Sequence, residues 1–409
     1  MKLLFVCHRF PFPPTQGGNI RSFNMIRHLA QQASVTVASV VHSQAEAEAG
    51  SGIEPYCDNY KAFVVPEWRA WLQMILRVPS LTPSSLGYFA SAQLQDFIAE
   101  EVRTGQYDMA FVHCSSVAPY VAGFHDLPKL LDFADMDSAK WALYAQARRF
   151  PLSLVYGLEA WKLRRLEASL AAAFDLSTCT TAAELETLDE LGTAPATGWF
   201  PNGVDTEFFQ PTAEAWDPDL ICFTGRMDYF PNQQGVGWFA REVLPLIQAQ
   251  RPAARFTAVG AAPPPAVQKL AELPGVTVTG TVPDVRPFTQ RAAASVAPLF
   301  LARGVQNKVL EAMSMGVPVV SSLPAARGVD AVPGEHLLTA QGPAEFAQAV
   351  LSLMTDPARR EQLARAGRER VLSHHTWPRA MQVMDELLAK QFPGQWSQQS
   401  ATDLASAFV

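Results

Sequence analysis

Three short segments carry residue types that could hold a phosphate-bearing ligand. The first is His8-Arg9-Phe10-Pro11-Phe12-Pro13-Pro14-Thr15-Gln16-Gly17-Gly18-Asn19, where an apolar run passes through two glycines into a helix-like stretch. Gly17 and Gly18 let the backbone approach a ligand closely, and a helix N-terminus favours an anion. The segment lacks both the Gly-Lys-Ser/Thr of a Walker A loop and G-x-G-x-x-G, so taken alone a tight turn with nothing bound explains it better. The second is Phe223-Thr224-Gly225-Arg226-Met227-Asp228. An Arg at the carboxyl end of a strand can pair bidentately with phosphate, a solvated surface Arg being the ordinary alternative.

The third segment runs from Pro298 to Val320 and reads as strand, loop, helix and strand, with Arg303-Gly304-Val305-Gln306-Asn307-Lys308 in the loop and first turn. The helix N-terminus, the Gly304 amides and Lys308 point toward one crevice. Glu311 follows one turn later, where a carboxylate can accept from two adjacent ribose hydroxyls, the device used at NAD sites.

The elements needed to position these residues are legible as an alternation of short β-branched runs and longer helical stretches. Strands are predicted at 2–7, 35–41, 60–65, 109–114, 129–133 and near 175–178, with a first helix over 19–32. After Asn202-Gly203-Val204-Asp205 the rhythm restarts, with strands predicted at 220–224, 255–259, 276–279, 294–297 and 317–321. Two rounds of one architecture imply an α/β chain of two doubly wound domains. The seam falls within 199–211, where Pro, Gly, Asn and Asp cluster. Past Pro393 the composition turns to Ser, Gln and Ala, a loose tail or a strap.

The 409 residues suit two domains, and 48% hydrophobic against 17% charged residues indicates a well-buried globular protein. A net charge of -7 gives no reason to expect a nucleic-acid partner. Five cysteines, spread without a C-x-x-C pair, argue against a zinc site or disulfide framework and fit a reducing compartment. The N-terminal apolar run is too short for a signal peptide and no later run is long enough for a bilayer span, so a cytoplasmic location is expected. Two stretches, 68–77 and 154–170, mix aromatic and basic residues as interfacial helices do, although ordinary amphipathic helices look the same.

The Gly-Gly loop, the Gly-Arg turn, Asn202-Gly203-Val204-Asp205 and the Lys308…Glu311-Ala312-Met313 block ending in Gly316-Val317-Pro318-Val319-Val320 together resemble glycosyltransferase family four. Asp132-Phe133-Ala134-Asp135-Met136-Asp137-Ser138, Met227-Asp228-Tyr229 with Pro231-Asn232, and Arg303 to Lys308 look more narrowly like the sugar transferases of exosortase (PEP-CTERM) exopolysaccharide loci. The resemblance implies a GT-B fold, two Rossmann-like doubly wound domains facing a central cleft. Residues 1–200 would form the acceptor-side domain, joined by a C-terminal helix of about 376–409, and 201–375 the donor domain. It implies retaining transfer of a hexose-type sugar from a nucleoside diphosphate sugar to a saccharide, often a lipid-linked one, without cofactor or metal. Peripheral contact with the inner face of the cytoplasmic membrane is compatible with that acceptor.

Roles follow from the same resemblance. Glu311 would hold the donor ribose, Arg226 and Lys308 would neutralise the diphosphate as the sugar bond breaks, and Gly17 and Gly18 would present amides to it. Asn202 belongs to the donor-binding set, and Gly304, Val305, Gln306 and Asn307 would meet the sugar hydroxyls. The family usually carries two glutamates with seven residues between them, and here Arg303 stands in the first position. It also often has a Lys shortly after the Gly-Arg turn, where this chain has Pro231-Asn232-Gln233; Lys308 is then the compensating cation. On the acceptor side, Asp135 occupies the slot where many relatives have His and is placed to orient the attacking hydroxyl. His113 is the second candidate, equally read as a satisfied strand-end histidine, and Asp137 is read as a helix cap. Asp135-Met136-Asp137 also spells the D-x-D metal signature of the other main glycosyltransferase fold, a spacing common by chance. A nucleotide-sugar epimerase and a non-catalytic nucleotide-sugar-binding protein remain rival readings, and an NAD-dependent oxidoreductase is a poorer one.

Overall fold

A computed structural model of the chain describes residues 1–14 and 17–396. Thr15 and Gln16 of the Gly-Gly segment, and the part of the expected tail from 397 onward, lie outside the described residues.

The chain divides into two compact units, Met1–Phe200 with the stretch from Met381 onward, and Pro201–Ala380. The first holds β1 (Lys2–Cys7), β2 (Ser34–Val41), β3 (Asn59–Val64), β4 (Met109–His113), β5 (Lys129–Ala134), β6 (Leu176–Cys179) and β7 (Thr197–Trp199). The second holds β8 (Asp217–Thr224), β9 (Arg255–Val259), β10 (Val276–Val278), β11 (Ala292–Ala297), β12 (Val319–Ser321) and β13 (Leu338–Thr339). The first sheet has the order β3-β2-β1-β4-β5-β6-β7 and the second β10-β9-β8-β11-β12-β13. Every pairing is parallel. β4 and β11 are buried along their whole length, as parallel strands covered by helices on both faces must be.

Each sheet therefore has one point where the direction of winding reverses, between β1 and β4 in the first and between β8 and β11 in the second. In open parallel sheets such a reversal leaves a crevice beyond the carboxyl ends of the two strands, because their connections leave to opposite faces. The loops after β1, β8 and β11 are the three segments singled out above.

The first helix spans Gly17–Leu29, two residues earlier than predicted, so Gly17 and Gly18 form its first turn rather than preceding it. β7 and β13 have no counterpart among the expected strands; at three and two residues they are too short to show a periodicity. The C-terminal helix, Trp377–Gln391, begins in the second unit and continues in the first. In the first unit it packs on the Gly17–Leu29 helix, where buried Asp385 receives hydrogen bonds from His28 Nε2 at 2.8 Å and Trp396 Nε1 at 3.1 Å. All five cysteines are free, and burial pushes the Cys7 thiol up to about 12.

Candidate active site

In the second unit β8 ends at Thr224, and Gly225 turns the chain with φ of +153°. A neighbouring turn comes so close that a Cβ on Gly260 would lie 1.9 Å from the Gly225 carbonyl oxygen. Arg226 follows, half-exposed, and its guanidinium is held by Asp228 through Nε at 3.1 Å and Nη2 at 2.6 Å. Any anion approaching Arg226 competes with this carboxylate, a pairing the residue types alone left unassigned.

Asn232 lies in the first turn of the Phe230–Trp238 helix and organises the turn. Its Nδ2 donates to the Arg226 carbonyl at 2.7 Å, and its Oδ1 accepts from Lys308 Nζ at 2.6 Å. Lys308 thus crosses from the β11 side to the β8 side, with its ammonium also 4.5 Å from the Phe223 ring centroid. The Lys308 amine therefore ends beside Asn232, within the Pro231-Asn232-Gln233 stretch that follows the Gly-Arg turn. Arg226 and Lys308 are brought to one place.

The loop after β11 places Gly304 at φ of +64°, and the Asn307–Ser314 helix starts three residues later. Gln306 Nε2 closes the loop by donating to the Arg303 and Gly304 carbonyls at 3.2 and 3.4 Å. Gly328 packs under it so tightly that a Cβ there would sit 2.0 Å from the Gly304 oxygen. Val305 leans on the hydrophobic core of the unit. Asn202 Nδ2 donates to Asn307 Oδ1 at 3.4 Å, which joins the Asn-Gly-Val-Asp segment to the same helix end.

Lys308 and Glu311 both sit on this helix, part-buried. Burial pushes the Lys308 ammonium down to about 7, partly offset by Glu311. Burial likewise pushes the Glu311 carboxyl up to about 7, partly offset by Lys308. A lysine and a carboxylate one turn apart at a helix N-terminus, when both are ionised, offer a cation for an anion and an acceptor for a hydroxyl.

In the first unit β1 leads into His8 and β4 ends in His113, with ring centroids 5.7 Å apart beyond the reversal point. Burial, then the neighbouring His113, holds His8 well below the usual imidazole range. A Cβ on Gly18 would be 3.8 Å from His8 Cε1, so the glycine turn borders the same place. His113 Nδ1 lies 2.8 Å from Asp132 Oδ2; a carboxylate can only accept, so this nitrogen donates. Asp132 is fully buried and also accepts from Arg21 Nε at 2.9 Å, Arg21 Nη2 at 3.0 Å and Thr178 Oγ1 at 3.0 Å. Arg21 further donates to the Phe200 carbonyl at 3.2 Å and lies 3.9 Å from that ring's centroid. His113 is thus anchored, with its ring orientation set by a buried carboxylate.

Asp135 follows β5, after Ala134 at φ of +61°. It accepts from Thr180 Oγ1 at 3.0 Å, and burial, reinforced by Glu184, pushes its carboxyl up to about 6. Asp137 does not cap the following helix: it is the first residue of Asp137–Ala147, and its side chain pairs with Lys140 and accepts from Ser115. The helix start is held instead by carboxylates from elsewhere, Glu184 on the Met136 amide and Glu167 on the Ser138 amide. Among the described residues no group of three or more His, Cys, Asp or Glu is placed to hold a metal ion.

Arg21, Asp132, His8, Asn232 and Asp228 were not singled out as site residues from sequence. Arg21 carried a usable signal of its own, an arginine inside an otherwise buried helix face, whereas the other four stood within quoted motifs without a role.

Residues 218–356 match the family described as glycosyl transferases group 1. No curated protein matches the chain. Among solved structures, sucrose-phosphate synthase from Thermosynechococcus elongatus is 17% identical, with a TM-score of 0.69 over 96% of this chain and 99% of that one. Anabaena HepE in complex with UDP is 16% identical, with a TM-score of 0.70 over 95% of this chain and 100% of that one. HepE in complex with UDP-glucose gives 14% identity and a TM-score of 0.65 over 95% and 100%. At such identities the likeness establishes the fold, GT-B, with its two Rossmann-like domains.

Proposed function

We propose that this chain, whose second unit carries a glycosyl transferases group 1 domain, is a retaining glycosyltransferase. It moves a hexose from a nucleoside diphosphate sugar to a saccharide acceptor, lipid-linked in exopolysaccharide assembly, at the cytoplasmic side and without metal. The observation that carries this reading is the bridge from Lys308 through Asn232 to the Arg226 turn, one helical turn from Glu311. Two cations there can take up the charge that develops on a departing diphosphate, the task a metal ion performs elsewhere. Glu311 holds the ribose and the 303–307 loop the sugar hydroxyls. UDP is the first nucleotide to test, since HepE binds it in a related fold. In the first unit Asp135 orients the acceptor hydroxyl, its carboxyl, pushed up to about 6 by burial, suiting proton exchange near neutral pH. His113, anchored by Asp132, is the second candidate for that role.

A thermal-shift titration with UDP, GDP, ADP and their sugars, with and without EDTA, tests the donor site, because a ligand bound only to the folded state raises the melting temperature. One nucleoside diphosphate family is expected to stabilise the chain, unaffected by EDTA. Its affinity should peak near neutral pH. The acid limb arises as Glu311 protonates below about 7 and loses its capacity to accept two hydroxyls. The alkaline limb arises as Lys308 loses its charge above about 7. No shift with any nucleotide would sink the reading.

The loop offers a second test. Gly328→Ala inserts a methyl against the Gly304 carbonyl, which must move or lift the 303–306 loop. A displacement on the scale of an ångström is expected to lower kcat/KM by about 10²-fold. The same rate constant in variant and parent would show that the loop does not hold the donor.

A further inference from the structure

The Glu67–Arg77 helix of the first unit is inside out. Only Ala70 of its residues is buried, while Trp68, Ile75 and Leu76 are 69%, 58% and 67% exposed. Its polar stripe, Arg69, Gln73 and Arg77, faces the other way and lines an open cavity of about 540 Å³ together with Ser91, Gln93 and Tyr120. A helix on a water-facing surface places these classes oppositely. The helix is nevertheless firmly seated, since a Cβ on Gly87 would come within 2.6 Å of the Met74 amide nitrogen.

The apolar surface continues beyond this helix. Lys162 Nζ donates to the Val78 carbonyl at 2.8 Å, and Glu159 accepts from the Ser84 and Ser85 amides at 2.9 and 2.8 Å. These bonds clamp the loop after the helix onto the Leu152–Ala173 helix, whose first turns expose Leu154, and Phe150 just before it is 80% exposed. Among the described residues, thirteen of the eighteen exposed large apolar side chains lie in 68–81 and 150–161, far too concentrated for the scatter normal on a monomer.

The charge of the same region selects the partner. Segments 67–81 and 148–165 hold seven Lys and Arg against two Asp and Glu, in a chain whose net charge is -7. One of the two acids, Glu159, and one of the seven bases, Lys162, are buried on the loop backbone, which leaves six bases against Glu67 toward solvent. A second copy meeting this face symmetrically would set arginines against arginines. An apolar layer beneath a layer of negative charge matches both properties. We propose that this face docks on a bilayer of anionic phospholipid, with Trp68, Ile75, Leu76 and Leu154 in the interfacial layer and a lipid phosphate in the cavity against Arg69 and Arg77. None of this depends on the chemistry proposed for the donor site.

The test is co-sedimentation of the full chain with vesicles of phosphatidylcholine, with and without about 30 mol% phosphatidylglycerol, at about 0.1 M salt. Binding to the anionic vesicles is expected to be at least about tenfold tighter and to weaken at higher salt. Arg69→Gln with Arg77→Gln should lower it about tenfold by removing two charges, and Trp68→Ser with Leu76→Ser by about as much through lost apolar contact. The latter side chains are exposed, so melting temperatures should not change. Quenching of tryptophan fluorescence by brominated phosphatidylglycerol reads the contact in the unaltered chain. Equal or absent binding to the two vesicle types, or variants that bind as the parent does, would overturn the proposal. So would a dimer dissolved by Trp68→Ser with Leu76→Ser in a chain that ignores vesicles.

Discussion

Replacing Lys308 by methionine is expected to lower kcat/KM for sugar transfer by about 10³-fold, the upper range for removing one preorganised donor from a developing anion. The effect should exceed that of Arg226→Ala. Arg226 is half-exposed and already neutralised by Asp228, whereas Lys308 is fixed by Asn232 and lies over the Phe223 ring. A cation held in advance needs no reorganisation when the sugar bond breaks; one that must first exchange a carboxylate for a phosphate does. Methionine keeps the length of the stem, so the melting temperature should stay within about 5 °C. Exchanging the two residues, Asn232→Lys with Lys308→Asn, should recover a measurable part of the rate, because the amine now ends beside residue 232. Steady-state kinetics with the nucleotide sugar selected by thermal shift would decide it. A Lys308→Met enzyme within about tenfold of the parent would remove this residue from the reaction, since even one modest transition-state hydrogen bond is worth more.

The second large effect is on stability. Asp132→Ala is expected to destabilise the first unit by about 3–5 kcal/mol, the range for removing one partner of a buried ion pair. That lowers its melting temperature by about 10 °C. The carboxylate that faces the buried Arg21 guanidinium disappears, and the hydrogen bonds from His113 and Thr178 go with it. Arg21, His113 and burial act on Asp132 together, and the balance holds its carboxyl well below the usual range. A depressed carboxyl contributes stability that is fully present above its unfolded value near 4 and lost as pH falls through the folded value. Urea unfolding of the parent should therefore weaken steeply in acid, and the Asp132→Ala variant should show a flatter acid limb. A variant as stable as the parent would mean that the buried charges are balanced by other groups.

What could be read from sequence divides along physical lines. Strands of five or six mostly apolar residues, such as β4 and β11, announce themselves because parallel strands are buried on both faces. The Gly-Arg turn and the Gly304–Glu311 block were legible as motifs because the residues that define each are close in sequence. Asn232 stood out only as a departure from the usual lysine, and its double hydrogen bond is a tertiary fact. Arg21 and Asp132 lie 111 residues apart, and nothing local marks either as the partner of the other. The reading of Asp137 as a cap failed for a similar reason. Its turn is satisfied by Glu167 and Glu184 from distant helices, which leaves Asp137 to pair with Lys140.

The route of the chain has a consequence for how the protein is made. The polypeptide leaves the first unit at Phe200, builds the second, and returns at Met381. On the ribosome, His28 is therefore exposed long before its partner Asp385 exists, the two being 357 positions apart. At usual translation speeds that interval is roughly 20–70 s. The second unit is complete before the first can close, so the nascent first unit spends that time with its Gly17–Leu29 helix uncovered, and a chaperone or the membrane surface has its longest access to the chain then.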